Sequence, residues 1–376
     1  MHACLAALGI AIEANEAEGI YSVEGQGGRI PASTARLDAA NAGTAARFLT
    51  AAVTLGNGRY VVDGSARMRE RPIEPLLDGL RQLGCVAYAE RANGCPPVVV
   101  EADGMPGGLA RVRGDISSQY LSALLIVAPF AASPVELEIE GELVSAPYIG
   151  MTAGMMKEFG VELRCEPEGR RYRVPAPQRY ASREYDVEPD ASAASYFFAA
   201  AAVTGGRVLV RHLGLRSVQG DLGLVEVLER MGCRVRWADD EIELQGPERL
   251  RGIEASFDGM GDVATTLAAI APFADGPVTI RGIAQTHYEE CDRPVAAATE
   301  LRRMAIAVEQ DWDTLVIHPG APQPATIETY DDHRMAMSFA VTGLRTSGIR
   351  IANPGCVAKT FPGFFQRLAA LTTVPV

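Results

Sequence analysis

Lysine is nearly absent from this 376-residue chain: Lys157 and Lys359 are the two present, so arginine supplies almost all of the 35 positive charges. Against 47 acidic residues the net charge is −12, which argues against non-specific binding to nucleic acid or to acidic membranes. No CxxC pair occurs among the seven cysteines, and none is spaced with the five histidines as metal ligands are, so no metal site is expected. An odd cysteine count reads as free thiols. No apolar run reaches the roughly 18 residues of a membrane span; the nearest, Tyr196 to Val203, stops at Thr204-Gly205-Gly206. Met1-His2-Ala3-Cys4-Leu5 has no basic n-region, and Glu13 and Glu16 follow too early for a secretory signal. The expected location is the cytoplasm.

What remains is an ordinary globular composition, 48% apolar, with length enough for two domains. Its strongest feature is a repeat. Amphipathic helices end in a hydrophobe-Gly turn at Leu8-Gly9, Leu83-Gly84, Phe159-Gly160 and Met231-Gly232, with a fifth copy at Met304-Ala305 that replaces the glycine. The copies, counted from Leu5, Leu80, Met156, Leu228 and Leu301, step by 75, 76, 72 and 73 residues. Glycine suits the position after a helix, where φ is positive. A second series of small-residue helices opens at Asn41, Asp115, Asp190, Asp262 and Asp332, stepping by 74, 75, 72 and 70. Asn and Asp are favoured N-caps, so these residues read as helix starts. The repeating unit is strand–helix–strand–helix–strand, and three such units fill one α/β domain. The boundary falls near Arg183–Glu188, dividing the chain into 1–187 and 188–376. The chain opens directly on a helix of the first series, so the first half-unit of the repeat is read as missing.

Several of these helix starts carry chemistry. Asn41-Ala42-Gly43-Thr44 offers free N–H groups to an anion, Gly43 removes the side chain that would hold the ligand off, and Arg47 adds donors one turn on. Arg67-Met68-Arg69-Glu70-Arg71 sets three arginines beside a strand end and reads as a phosphate or carboxylate site. Ser117-Ser118-Gln119 and, more weakly, Ser145 offer hydroxyls and an amide to a hydroxylated, phosphorylated ligand. Asp262 and Glu290 are two carboxylates from separate segments that would serve as an acid–base pair if they meet. Arg334 lies on the first turn of a helix, and Lys359 sits in a Thr-Phe-Pro turn.

Asn41–Arg47, Arg67–Ile73, Ser117–Gln119, Glu290–Arg293, Asp332–Met337 and Ala358–Pro362 together resemble the enolpyruvyl transferases, in particular the branch acting on shikimate 3-phosphate. The resemblance implies two pseudo-threefold domains of βαβαββ repeats, an inside-out barrel arrangement that closes on the substrates. It implies transfer of enolpyruvyl from phosphoenolpyruvate to the 5-hydroxyl of shikimate 3-phosphate, with phosphate released and no metal or cofactor, by a monomer. Ser117, Ser118, Gln119, Ser145, Asp262 and Gln285 would hold shikimate 3-phosphate. Gly43, Arg67, Gln119, Arg293, Arg334 and Lys359 would hold phosphoenolpyruvate. Asp262, Glu290 and Lys359 would be catalytic. The first domain would be the shikimate 3-phosphate side, incomplete at its N-terminus, because the family's Lys-Ser-x-x-x-Arg segment has no counterpart. Glu289, Gln285 and Cys291 stand where many members carry lysine, asparagine and threonine. Two other readings stay open: an impaired relative that binds anions only, and the related UDP-N-acetylglucosamine enolpyruvyl transferase.

Overall fold

The computed structural model describes residues 1–166 and 169–372. The chain divides into two compact units, Met1–Tyr185 and Asp186–Val376, each with its own hydrophobic core. The first unit contains helices α1 (His2–Ala7), α2 (Gly43–Ala52), α3 (Glu74–Gln82), α4 (Ser118–Val127) and α5 (Ala146–Glu158). The second contains α6 (Ala191–Thr204), α7 (Gly223–Arg230), α8 (Ala264–Ile270), α9 (Arg293–Arg303), α10 (His333–Thr342) and α11 (Phe364–Thr372). Among the described residues no helix is long and apolar enough to cross a membrane.

One module recurs. Strand Thr34–Asp38, α2, strand Asn57–Asp63, α3 and strands Val86–Ala89 and Val98–Asp103 form the first complete copy. Gly108–Arg113, α4, Val135–Glu140, α5, Arg164–Cys165 and Arg171–Val174 form the next. In the second unit Ile253–Ser256, α8, Val278–Arg281, α9, Val308–Gln310 and Thr314–Ile317 repeat it. In all three the strands lie in the order first, second, fourth, third, with only the first pair parallel. A parallel pair needs a crossover, and the small-residue helix supplies it. Reading the residues alone gives strand–helix–strand–helix–strand; the structure adds a closing strand, the hairpin partner of the one before it. Partial modules are built around α6–α7, around α10–α11, and around α1 with strands Ile12–Asn15 and Ile20–Val23.

Helices lie inside and sheets outside. α4 buries Ser118, Tyr120–Leu125 and Val127, and α6 is buried on nearly every side, whereas strand Val86–Ala89 alternates exposed and buried residues. A helix apolar all round must be interior, and an alternating strand has one wet face. Small residues let the interior helices approach closely. In the second unit Ser195 of α6, Thr266 of α8 and Ser338 of α10 form a hydrogen-bonded row, Oγ to Oγ1 at 3.1 Å and Oγ1 to Oγ at 3.4 Å. These three residues are one repeat apart, so the row marks the axis about which the three helices are arranged.

Helix ends follow the repeat, and helix starts only in part. Gly9, Gly84, Gly160 and Gly232 have φ of +83°, +88°, +82° and +106°, and Ala305 takes the same left-handed backbone at +62°. Asp190 and Asp332 cap α6 and α10, each accepting a hydrogen bond at 2.8 Å from the backbone N–H two residues on. The other three expected caps are corrected. α2 is capped by Ala42 rather than Asn41. α4 is capped by Ser117, whose Oγ accepts from Gln119 N at 3.3 Å, because Asp115 is drawn to Arg113 at 2.7 Å. Asp262 caps nothing: two arginines take both of its oxygens.

Candidate active site

In the first unit the residues around the start of α2 form a cationic cradle. The Arg67–Arg71 run folds as a short 3-10 turn, Met68–Glu70, so its arginines diverge. Arg67 turns toward Glu70 at 3.3 Å. Arg69 makes two bonds to Asp63, at 2.8 and 2.9 Å, fastening the turn to the strand end. Those bonds, more than any other interaction, hold the Asp63 carboxyl down at about 2. Arg71 is 2% exposed and reaches Asn41 O at 3.3 Å. A Cβ at residue 43 would lie 2.8 Å from Arg71 Nη2 and would also collide with the Arg47 guanidinium. Of the three arginines in the run, Arg71 is the one that lies against Gly43, together with Arg47. The signal that could have found Arg71 is its place next to Pro72, whose carbonyl accepts from Arg47 Nη2 at 3.1 Å and from Tyr120 OH at 2.6 Å.

Arg47 is 3% exposed and lies 5.6 Å from the centre of the Tyr120 ring. Its Nε and Nη1 have no acceptor among the described residues. The Gln119 Oε1, on the first turn of α4, is likewise buried without a partner. Buried guanidinium donors without an acceptor are unfavourable, which makes the Arg47 end of the cradle a candidate site for an anion. Ser117 and Ser118 begin the same helix. Ser145 caps α5 in a left-handed backbone, φ +54° and ψ +40°, which a non-glycine residue adopts only when its surroundings impose it. Its loop lies against the one leading to Ser117, with Val144 N bonded to Gly114 O at 3.0 Å.

The second unit brings the two acids together. Arg293, 2% exposed at the start of α9, binds Asp262 Oδ1 at 2.7 Å, Glu290 Oε2 at 2.6 Å and Asp332 Oδ2 at 2.9 Å. Arg334 Nη2 binds the other oxygen of Asp262 at 2.8 Å, and Lys359 Nζ binds Glu290 Oε1. Burial pushes the Asp262 carboxyl up, but Arg334 and Arg293 outweigh it and hold it below the usual carboxylate range. Burial, then the charge of Arg334, lowers His333 to about 4, so it stays neutral beside these cations. Burial keeps the Cys291 thiol protonated next to Asp332. The Gln285 amide packs over Gly261, where a Cβ would lie 2.7 Å from Nε2, and so rests on the turn that carries Asp262. Glu290, Asp262, Arg293, Arg334, Lys359 and Gln285 thus gather in one cluster. Asp332, read from the sequence as a helix start alone, also anchors Arg293.

Paired carboxylates clamped by cations, with a second cradle shaped for an anion, define a group-transfer protein that handles small anions by acid–base chemistry. A family model described as EPSP synthase (3-phosphoshikimate 1-carboxyvinyltransferase) matches residues 1–368, and the chain belongs to that family. It is 49% identical over 364 residues to the 3-phosphoshikimate 1-carboxyvinyltransferase of Nostoc punctiforme, covering 97% of this chain and 85% of that one. Its identity to the chloroplastic protein of Arabidopsis thaliana is 46% over 383 residues, covering 97% of this chain and 74% of that one. EPSP synthase from Acinetobacter baumannii superposes with a TM-score of 0.79 at 25% identity, over 98% of this chain and 86% of that one.

Proposed function

We propose that the protein transfers the enolpyruvyl group of phosphoenolpyruvate to the 5-hydroxyl of shikimate 3-phosphate, releasing phosphate, as a cytoplasmic monomer without metal or cofactor. The observation that carries this reading is the convergence of Asp262 and Glu290 on one guanidinium, that of Arg293, with Lys359 on the far side of Glu290. The reaction needs a base for the attacking hydroxyl and a group that gives a proton to the methylene carbon and later takes one back. Asp262 is the base, and Glu290 with Lys359 moves the proton at carbon. Attack forms the C–O bond to C2 of phosphoenolpyruvate as C3 gains a proton. Loss of a C3 proton then restores the double bond as the C2–O bond to phosphate breaks.

Asp262 is a weak base while both of its oxygens are held by arginine. An anion engaging Arg334 and Arg293 neutralises those charges and restores its basicity, so substrate binding switches the base on. Arg67, Arg293, Arg334, Lys359, Gly43 and Gln119 take phosphoenolpyruvate, with Arg71 and Arg47 beside Gly43. Ser117, Ser118, Gln119, Ser145 and Gln285 take shikimate 3-phosphate. Phosphate release with both substrates tests the reading. Release only when UDP-N-acetylglucosamine replaces shikimate 3-phosphate, or no release at high protein concentration, overturns it.

A further inference from the structure

Glu290 lies in an irregular segment, Gly282–Asp292, which joins strand Val278–Arg281 to α9. Its one helical stretch is a short 3-10 turn, Ala284–Tyr288, and Glu289 leaves that turn in extended backbone. A segment of this kind has no ladder of backbone bonds to fix it, so the place of Glu290 depends on what holds its neighbours.

The hold comes from the tip of one hairpin. Strands Val308–Gln310 and Thr314–Ile317 pair through a turn formed by Asp311, Trp312 and Asp313. Asp313 takes the start of the segment: Gly282 N donates to its Oδ2 at 3.1 Å and Ala284 N to its Oδ1 at 2.8 Å. Trp312 takes the middle. Its main-chain carbonyl accepts from His287 Nε2 at 2.7 Å, and its indole stacks on the imidazole with ring centres 4.0 Å apart and planes 10° from parallel. Tyr288 meets the same indole edge-on at 6.2 Å. His287 carries the hold to the end of the segment. Its Nδ1 lies 2.7 Å from Asp292 Oδ1, the oxygen that also accepts from Val295 N at 3.2 Å and so caps α9.

Trp312 is 56% exposed, yet it covers the imidazole, and His287 is 7% exposed. A ring bonded at two edges and stacked on one face has both its position and its orientation fixed. The bond from His287 to Asp292 closes around Glu289, Glu290 and Cys291, and inside that bracket Glu290 directs its two oxygens to Arg293 and Lys359.

We propose that His287 is a positioning residue for Glu290: clamped by Trp312 and bonded to Asp292, it fixes the turn that sets Glu290 at proton-transfer distance from the substrate carbon. The inference rests on reading Glu290 as the group that moves the proton at carbon. Misplacing a reacting group by about 1 Å costs on the order of 10²-fold in rate.

The test is phosphate release by the wild type, His287→Phe, Glu290→Gln and the double variant, with single turnovers at high protein concentration to rank the slow ones. Phenylalanine keeps a flat ring for the stack and has no hydrogen bond to give, so this variant isolates the two bonds. It is expected to lower kcat by roughly 10- to 100-fold and to change KM for phosphoenolpyruvate by less than about threefold. Because His287 acts through Glu290, the double variant should be no slower than Glu290→Gln alone. A loss repeated in full in the double variant marks a merely structural role and overturns the proposal, as does a full-rate His287→Phe enzyme. Trp312→Ala is a second variant, needed if His287→Phe does not fold. It removes an exposed ring and keeps the carbonyl, and it should lower kcat by about threefold or more; an unchanged kcat overturns the proposal. A full-rate Glu290→Gln enzyme, or a wild type that releases no phosphate, overturns the functional reading and the proposal with it.

Discussion

Asp262 and Asp332 occupy equivalent helix starts, 70 residues apart, yet only Asp332 caps its helix. Asp332 spends Oδ1 on Arg334 N at 2.8 Å and Oδ2 on Arg293 at 2.9 Å. Asp262 gives both oxygens to guanidinium groups and leaves the turn before its helix uncapped. One member of a repeated set has been released from a structural duty, and it is the one proposed above as the base.

The two substitutions should therefore separate. Asp262→Asn is expected to lower kcat by about 10²–10⁴ while phosphoenolpyruvate still binds. Asp332→Ala should lose stability first, by about 1 kcal/mol for the cap alone. Phosphate-release kinetics alongside urea unfolding of both variants checks this, and a full-rate Asp262→Asn enzyme removes its role as base.

The cradle at Gly43 should show itself in binding. Losing a charge-assisted bond of about 1.5–3 kcal/mol, Arg71→Ala is expected to raise KM for phosphoenolpyruvate by roughly 10- to 100-fold. Steady-state kinetics decides, and an unchanged KM removes Arg71 from the site. Gly43→Ala should act through the same cradle, since its methyl would displace Arg47 and Arg71, raising KM rather than lowering kcat alone.

Ala305 holds a left-handed backbone at φ +62° where the four equivalent positions carry glycine. An L-residue there is strained by about 1–2 kcal/mol. Ala305→Gly is expected to stabilise the second unit by about 1 kcal/mol, less the entropy glycine adds to the unfolded chain. The converse, Gly232→Ala at φ +106°, should destabilise it. Urea unfolding midpoints measure both, and an unchanged or lower midpoint for Ala305→Gly contradicts the strain.

His333 is 3% exposed and burial lowers it from 6.5 to about 4. The unfolded chain takes up this proton before the folded one does, so the folded state loses stability as pH falls from about 6.5 to about 4. The full effect is on the order of 3 kcal/mol, present above the unfolded value and gone below the folded one. His333→Gln should flatten that acid limb in urea titrations between pH 7.5 and 4, and parallel limbs would show that other groups dominate.

The repeat, the glycine stops and the two-unit plan were already present in the residues, because each rests on local backbone preference that recurs at a fixed period. Leu8-Gly9 and Phe159-Gly160 end helices for the same reason wherever they fall in the fold. The helix-start positions of the candidate site residues Gly43, Ser117 and Arg334 were legible in the same way. The tertiary structure alone decided which arginine of 67, 69 and 71 faces Gly43, since a 3-10 turn sends neighbouring side chains in different directions. It also decided that Asp262 abandons its cap to bind Arg293 and Arg334. Those outcomes turn on which charges meet in space, where burial makes an unpaired one expensive, and no local pattern in the chain records that.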